Sequence, residues 1–213
     1  MRKSRSFEVR AKGPIACFTR PEMKVERMSY EVMTPSAARG LLEAILWKPA
    51  IRWVIERISV GAPVQWMSFR RNEVNSRASD KVYFADEDRA QRNTVALRDV
   101  DYLVRAHFMM TESAGPDENV VKFEEMFHRR IQRGQHFHQP YLGCREFVAD
   151  VSPVVEGFKA IEGDGERPLG LMFYDYDFRA AAPRPLFFDA RLRGGVMEVP
   201  AFAAVLAENG VAS

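Results

Sequence analysis

Four histidines are the side chains of this 213-residue chain best suited to proton transfer near neutral pH. His107 alternates with Arg105, so the two share one face of a predicted strand. His128 stands on a predicted helix, next to a pair of arginines. His136 and His138 are two residues apart and can face the same way if their segment is extended. Each imidazole could act as a general acid or base.

A metal site is the alternative interpretation of the histidine pair. His136 and His138, together with Cys144, would offer nitrogen and sulfur ligands. No second cysteine pair supports such a site, because the other cysteine, Cys17, is far away in the sequence and forms no CxxC motif. We therefore expect no metal and no cofactor, and the cysteines give no indication of an oxidising compartment.

Basic and aromatic side chains are concentrated in the first two-thirds of the chain. Residues 1–149 carry 25 Lys/Arg against 19 Asp/Glu, whereas residues 150–213 carry 6 against 10. This asymmetry is compatible with a polyanionic partner. The cations that could contact phosphates are Arg20, Lys24, Arg27, Lys48, Arg52, Arg70, Arg71, Arg129, Arg130 and Arg133. The aromatic residues that could stack on bases are Tyr30, Trp47 and Trp66, whereas Trp53 alternates with Ile51 and Ile55 and is expected in the core.

The segments that carry these residues alternate between strand and helix periods. A first strand is predicted over Ser4–Lys12, and Gly13-Pro14 should break it. A small polar cap and Pro35 then begin a helix that Pro49 stops. The period changes to two over Ile51–Val60, which predicts a strand directly after the helix.

The pattern repeats after a long excursion over residues 61–96, which could form a hairpin. Alternation predicts a strand over Arg98–Met110. Helical spacing follows over Asn119–Arg133, with Gly134 as the stop. A short strand is predicted around Leu142–Val148.

The remaining residues are rich in strand patterns. Strands are predicted over Leu171–Phe178, Leu186–Leu192 and Val196–Val199, the last two forming a hairpin around Gly194-Gly195. This segment, residues 150–213, is predicted to be a small antiparallel β domain.

The order β-α-β, long insertion, β-α-β predicts an α+β fold of the ferredoxin-like, RNA-recognition type. Residues 1–149 would form this βαββαβ domain, with the insertion at about 61–96. Its two helices should cover one face of the sheet and leave the other face free for binding.

The composition is that of an ordinary soluble protein, with 46% hydrophobic and 28% charged residues. No apolar run approaches the roughly 18 residues that span a bilayer. The basic N-terminus lacks the apolar segment of a signal peptide. We expect a cytoplasmic protein without a membrane partner.

Four collinear blocks carry a family resemblance. They are CFTRPEMKVERMSYEVMTPSAARGLLEAILWKPAIRWVIERISV (17–60), RRNEV (70–74), LRDVDYLVRAHF (97–108) and GQHFHQPYLGCREF (134–147). Together they resemble the CRISPR-associated Cas5 family of subtype I-C, the Dvulg type. The resemblance extends over most of the chain and is weakest in residues 75–96 and 150–213.

This resemblance implies a repeat-associated RNA-binding protein with a ferredoxin-like domain. Such proteins belong to the Cascade complex of antiviral defence and hold the 5′ handle of the crRNA beside the backbone and large subunits. Target DNA is met only indirectly, through the complex. In subtype I-C the family also cuts pre-crRNA at the repeat stem-loop without a metal.

The catalytic positions implied by the family are only partly filled. The family places a Tyr or His before the Trp-Lys-Pro turn and a Lys-His pair at the start of the second helix. Here Leu46 precedes Trp47-Lys48-Pro49, and Phe123 follows Lys122. Lys122 therefore carries over, and His107 is the candidate for the missing proton transfer.

Two functions stay open at this point. The leading hypothesis is a crRNA-binding Cascade subunit that cuts pre-crRNA, as the resemblance implies, and the alternative is a structural crRNA-binding subunit that does not cleave. Leu46 and Phe123 favour the second possibility because neither side chain can move a proton.

Overall fold

The computed structural model describes residues 2–76, 80, 82, 84–154, 157–162, 165–179 and 182–210. Within them, strands and helices follow in the order β1 (Phe7–Ala16), β2 (Arg27–Met28), α1 (Pro35–Ile45), β3 (Ile51–Val60), β4 (Trp66–Val74), β5 (Arg89–Met110), α2 (Val120–Gln132), β6 (Asp150–Pro153), β7 (Glu166–Asp177), β8 (Arg184–Arg193), β9 (Val196–Glu198) and α3 (Phe202–Glu208). None of these helices is long and apolar enough to cross a membrane.

Strands β6, β1, β5 and β3 lie side by side in that order, and each is antiparallel to its neighbours. Helix α1 lies between β1 and β3 in the chain, and α2 lies between β5 and β6. The two βαβ units therefore interleave in the α+β arrangement that the order of the elements predicts.

Both long helices begin where the sequence predicts them, and the cap at Pro35 is the predicted one. Thr34 accepts a hydrogen bond from the backbone N–H of Ala37 at 3.2 Å, with Pro35 in the first turn. Asn119 caps α2 in the same way, and Gly134 follows that helix with a φ of +61°. Helix α1 ends at Ile45, before the proline that was expected to stop it.

An aromatic cluster joins the helices to the sheet. The indole of Trp53 lies 4.7 Å from Phe127 of α2, 5.4 Å from Phe108 of β5 and 6.0 Å from Phe7 of β1, between ring centroids. Its Nε1–H donates to the carbonyl of Leu46, just after α1, at 3.0 Å. The prediction that Trp53 lies in the core is confirmed, because a buried indole needs both packing and a hydrogen-bond acceptor.

Strand β1 does not break at Gly13-Pro14 but continues to Ala16. Strand β6 pairs only with residues 9–12 of β1, so beyond that point one edge of β1 is free of β6. A proline without an N–H is tolerated on such an edge. Gly13 is required by close packing, because a Cβ there would lie 2.5 Å from the side chain of Leu142.

The prediction of a strand at Leu142–Val148 is wrong, because the final strand of the βαββαβ unit is β6, over Asp150–Pro153. Residues 142–147 form a tight turn closed by a 2.8 Å hydrogen bond from Leu142 N–H to Phe147 C=O. Gly143 has a φ of +85° in this turn, and a Cβ on it would lie 2.1 Å from the carbonyl oxygen of Cys17. Only glycine fits this backbone contact.

The predicted excursion at residues 61–96 is a long hairpin. Strand β4 pairs antiparallel with the first part of β5, from Trp66 opposite Leu97 to Val74 opposite Arg89. The second part of β5 then enters the central sheet between β1 and β3. One 22-residue strand therefore belongs to both the hairpin and the core.

The C-terminal strands continue the same sheet in the order β3-β9-β8-β7, because β9 pairs with β3. The predicted hairpin is present, with a two-residue turn at Gly194 and Gly195 that both have positive φ. Helix α3 was not predicted, since seven residues carry little periodic signal and Ala201 offers no side-chain cap. A separate domain after residue 149 stays a prediction.

A β-bulge in β3 directs a carboxylate toward β5. The register shifts between Ile55 and Arg57, so Glu56 is the extra residue. Its carboxylate accepts hydrogen bonds from Ser6 at 2.8 Å, His107 at 2.6 Å and Arg105 at 3.0 Å. Burial raises the pKa of Glu56, but these donors lower it by more, and the net pKa lies below the ordinary 4.5.

We expect Glu56→Gln to reduce the free energy of unfolding at pH 7 by about 1 to 2 kcal/mol, because a charged acceptor is lost. Because folding lowers the pKa of Glu56, its carboxylate stabilises the fold at pH values above the ordinary pKa of 4.5. This stabilisation is lost as the pH falls through the folded-state pKa. The difference between wild type and variant should therefore shrink toward pH 3. Urea unfolding between pH 7 and pH 3 measures it.

The matched control is Glu198→Gln on the adjacent strand β9, where the carboxylate is 73% exposed. This variant should change stability by less than about 0.5 kcal/mol. An equal loss in both variants would contradict a specific role for the Glu56 cluster.

We expect Gly143→Ala to lower the free energy of unfolding by roughly 3 kcal/mol or more, because it combines a positive φ with a backbone clash. Gly134→Ala is the control, since its φ is also positive but nothing lies within 4 Å of the added Cβ. It should cost only about 1 kcal/mol. Urea unfolding followed by circular dichroism compares the two, and similar losses would refute the packing argument.

Candidate nucleic-acid interface

The C-terminal end of α1 is closed by α2 and by the loop that follows it. Arg130 donates to the carbonyl of Ile45 at 2.6 Å. The backbone N–H groups of Phe137 and His138 point to the carbonyl of Ala44, at 2.7 and 3.3 Å. Helix C-termini leave such carbonyls unpaired, so these donors are needed. They bring the histidine-containing loop next to residue 46.

Aromatic and basic side chains are exposed around this end of α1. Trp47 is 54% exposed and Phe137 is 71% exposed. Lys48 is half-buried, and His136 and His138 are both exposed. Exposed rings can stack on bases while nearby cations neutralise phosphates, so this surface has the composition of a single-stranded RNA site.

The outer side of α2 carries a basic stripe, which we define as Lys122, Arg129 and Arg133. All three are exposed, and their spacing of seven and four residues places them on one side of the helix. The opposite side, with Phe123 and Phe127, is buried. Arg130 lies at the edge of the stripe, but its guanidinium already binds α1, so its main role here is structural.

The two positions expected to hold catalytic side chains are packed into the core. Leu46 is 0% exposed and Phe123 is 1% exposed. The ring of Phe123 lies edge-on to Phe108, with centroids 6.3 Å apart. Both residues therefore contribute packing, and neither could contact a substrate.

The structure does not bring the predicted catalytic residues Lys122 and His107 together. Helix α2 packs on the face of β5 that carries Phe108. Because side chains alternate along a strand, His107 belongs to the opposite face, where Glu56 binds its Nδ1. The backbone of the sheet lies between the His107 side chain and α2, so the two cannot act on one phosphate.

Tyr30 was predicted to stack on RNA, but it is 2% exposed and this prediction is wrong. Its hydroxyl accepts a hydrogen bond from the N–H of Phe173 at 3.1 Å. The guanidinium of Arg20 covers the ring, 4.4 Å from its centroid. Burial raises the pKa of Tyr30. This tyrosine ties the segment after β2 to strand β7.

Three more of the predicted RNA-binding arginines have partners within the fold. Arg27 binds Glu146 at 2.5 Å, and Arg71 binds Thr94 at 2.6 Å and also Glu73. The guanidinium of Arg52 lies over the ring of Phe202, 4.7 Å from its centroid. These contacts compete with phosphates.

Two of the cations predicted to contact RNA phosphates are exposed away from α1 and α2. Lys24 is exposed in the loop before β2. Arg70 is exposed on β4, where Trp66 is also partly accessible and Gln91 accepts a 3.2 Å hydrogen bond from Arg70. The β4–β5 hairpin therefore presents a second basic and aromatic surface.

Sequence reasoning missed the proximity of the two cysteines. Cys144 Sγ lies 3.5 Å from the carbonyl of Cys17 and 3.5 Å from the guanidinium of Arg27. The neighbouring Cys17 thiol, assisted by Thr19 and Arg27, holds the pKa of Cys144 below that of an ordinary thiol. Separation by 127 residues hides such a pair from any local pattern. Among the described residues, no group of three or more His, Cys, Asp or Glu could hold a metal ion.

Comparisons with known proteins identify the family. The model of the family "CRISPR-associated protein (Cas_Cas5)", in its Cas5d form, matches residues 7–200. A "CRISPR pre-crRNA endoribonuclease Cas5d" of Mannheimia succiniciproducens is 46% identical, with 90% of this chain and 93% of the relative covered. A protein of the same description from Thermus thermophilus is 42% identical, with 92% and 91% covered.

The fold agrees with these matches. A solved structure described as "Crystal Structure of CRISPR-associated Protein" superposes with a TM-score of 0.76 at 25% identity, covering 96% of both chains. The sequence match extends from β1 to the end of β9, so it includes every element that forms the interface around α1 and α2. The chain therefore belongs to the Cas5 family of CRISPR-associated proteins, in its Cas5d branch.

Proposed function

We propose that this chain binds the repeat-derived 5′ handle of crRNA and processes pre-crRNA as a metal-independent endoribonuclease. The observation that carries this proposal is the identity of 46% and 42% to two pre-crRNA endoribonucleases, each covered over more than 90% of its length. Metal-free RNA cleavage needs an RNA strand held beside groups that move protons and stabilise charge.

The basic stripe and the exposed rings supply the RNA-binding part of the proposal. Arg129 and Arg133 lie one turn apart on α2, in the half of the helix that contacts the end of α1. Trp47 is exposed at that same end. A strand whose phosphates follow the stripe would bring its bases to Trp47 for stacking.

Lys122 supplies a positive charge for the cleavage step. Metal-free cleavage by the 2′-hydroxyl places extra negative charge on the phosphate oxygens in the transition state, and a lysine ammonium can stabilise it. Lys122 lies on the basic stripe, two turns or about 12 Å along α2 from Arg130. This position lets it contact the same RNA strand as Arg129 and Arg133.

We assign the chain to a Cascade complex in the cytoplasm. Its partners would be crRNA, the backbone subunits and the large subunit, with target DNA reached only through the complex. The family supports this assignment, as does the β4–β5 hairpin, which offers an extended surface with Arg70 and Trp66 away from the α2 stripe.

A non-cleaving structural subunit is the second candidate, and one observation favours it. Leu46 and Phe123 are buried where the family would place proton-transfer groups. A chain with these substitutions could keep its RNA-binding surface and lose its chemistry. Cleavage in the absence of metal separates the two functions.

We expect the purified chain to cut a CRISPR-repeat hairpin RNA in EDTA at one site, 3′ of the stem. Lys122→Ala should slow this cleavage at least tenfold, because a charge that stabilises the transition state is lost. Denaturing gels with single-turnover kinetics measure the rate. Lys159→Ala, an exposed lysine in the segment between β6 and β7, is the charge-matched control and should cleave at the wild-type rate.

Tight binding of the repeat RNA without any product would support the structural subunit instead. Equal affinity for a scrambled hairpin would argue against both functions, since each requires recognition of the repeat.

The double variant Arg129→Ala, Arg133→Ala should weaken RNA binding and reduce the salt dependence of log Kd. Each lost phosphate contact on single-stranded RNA lowers the slope against log salt by about 0.7. Fluorescence anisotropy between 50 and roughly 300 mM salt measures both quantities. The control with the same charge change is Arg98→Ala, Lys159→Ala, and an equal effect in that variant would contradict the proposed stripe.

A further inference from the structure

The structure brings one imidazole-bearing segment to the end of α1, near the buried Leu46 that cannot move a proton. We propose that His138 is the general base that activates the 2′-hydroxyl during RNA cleavage by this chain. The inference rests on the proposed function and names a catalytic residue for it.

The backbone fixes the position of His138. Its N–H and that of Phe137 point to the carbonyl of Ala44, two residues before Leu46. Since neighbouring Cα atoms are about 3.8 Å apart, Trp47 lies within about 11 Å of Ala44. The backbone that carries the imidazole is therefore anchored at the end of α1, in the same region as the exposed indole.

Ring contacts orient the imidazole. It stacks on Tyr141 with centroids 6.3 Å apart and an interplanar angle of 23°, and it lies edge-on to Phe137 at 5.9 Å. Nδ1 lies 3.4 Å from the carbonyl of Gln139. A donor at Nδ1 leaves Nε2 as the acceptor in the neutral ring, which is the form a general base requires.

The surroundings suit a phosphate ester. Phe137 and Trp47 are exposed and could stack on the bases on either side of one phosphate. The titratable and charged groups that the adjoining elements bring to this end of α1 are Glu43, Lys48, Arg130, Arg133, His136, Tyr141 and Asp150. Glu43 is paired with Arg39, so the available charge is mainly positive. A cleft of about 170 Å³ adjoins this end of α1 and is lined by residues including Ile45, Gly134 and His136.

The other histidines are less suitable. His107 is bound by Glu56 on the far face of the sheet. His128 is exposed on α2 but lies outside the basic stripe, around the helix from it. Among the four histidines of the chain, His136 and His138 flank the exposed Phe137, and His138 has the defined ring orientation.

The proposed step balances as an internal transesterification. The 2′-oxygen forms a bond to phosphorus as the bond from phosphorus to the 5′-oxygen breaks. The 2′-proton passes to His138 Nε2, and the leaving 5′-oxygen takes a proton from solvent. The products are a 2′,3′-cyclic phosphate and a 5′-hydroxyl end, with no oxidant, reductant or metal involved.

His138→Ala and His138→Gln test the proposal in single-turnover cleavage of the repeat hairpin in EDTA. Each should slow cleavage 100-fold or more, because general base catalysis typically contributes 10²- to 10⁴-fold. The Kd for RNA should stay within about threefold, and the ascending limb of the pH–rate profile should disappear. Free imidazole should restore part of the rate to His138→Ala, because the site is open to solvent.

His128→Ala is the matched control and should cleave at the wild-type rate. Thermal melting of each variant checks the fold, which exposed substitutions should not disturb. Cleavage by His138→Ala within threefold of wild type, or an unchanged pH profile, would overturn the role of His138 alone. Absence of product from the unsubstituted chain would overturn the endoribonuclease assignment together with it.

Discussion

The indole of Trp53 is the contact on which the rest of the structure depends. Its ring packs against Phe7, Phe108 and Phe127, which belong to two strands and to α2. Its Nε1–H binds the carbonyl of Leu46 and so fixes the chain just after α1. A single buried side chain therefore sets both the packing of α2 on the sheet and the point at which the chain leaves α1. Since a buried indole N–H left without an acceptor costs about 1 to 3 kcal/mol, this link resists change.

The functional surface follows from the way the end of α1 is completed. The last carbonyls of a helix need donors, and here a guanidinium and two backbone N–H groups from α2 and its loop supply them. This capping holds the backbone of Phe137 and His138 at the end of α1, three residues before the exposed Trp47. The same packing buries Leu46 and Phe123, so chemistry at this surface has to come from neighbouring side chains.

The sequence predicted helices, strands and turns correctly where their formation depends only on residues that are close along the chain. The polar cap before Pro35, the alternation of β3 and β5 and the double-glycine turn of the last hairpin depend only on nearby residues. The errors occurred where a distant contact overrides the local signal. Gly13-Pro14 suggested a break, but β1 continues because it pairs with β5 as far as Ala16. The proline is tolerated there because β6 no longer pairs with that edge, and Leu142 packs against Gly13. Gly143 lay in a predicted strand, yet it turns against the backbone of Cys17.

The sequence by itself determined the βαββαβ order, the basic character of the first part of the chain and the membership in the Cas5 family, because these depend on residue types and spacing along the chain. Tertiary structure alone decided which cations are free for RNA. Arg129 and Arg133 face solvent, whereas Arg130 caps α1. It also decided that Lys122 and His107 lie on different sides of the sheet and that the backbone of His138 is bound at the end of α1. A side chain's availability depends on partners that are remote in sequence, and only the folded chain brings those partners together.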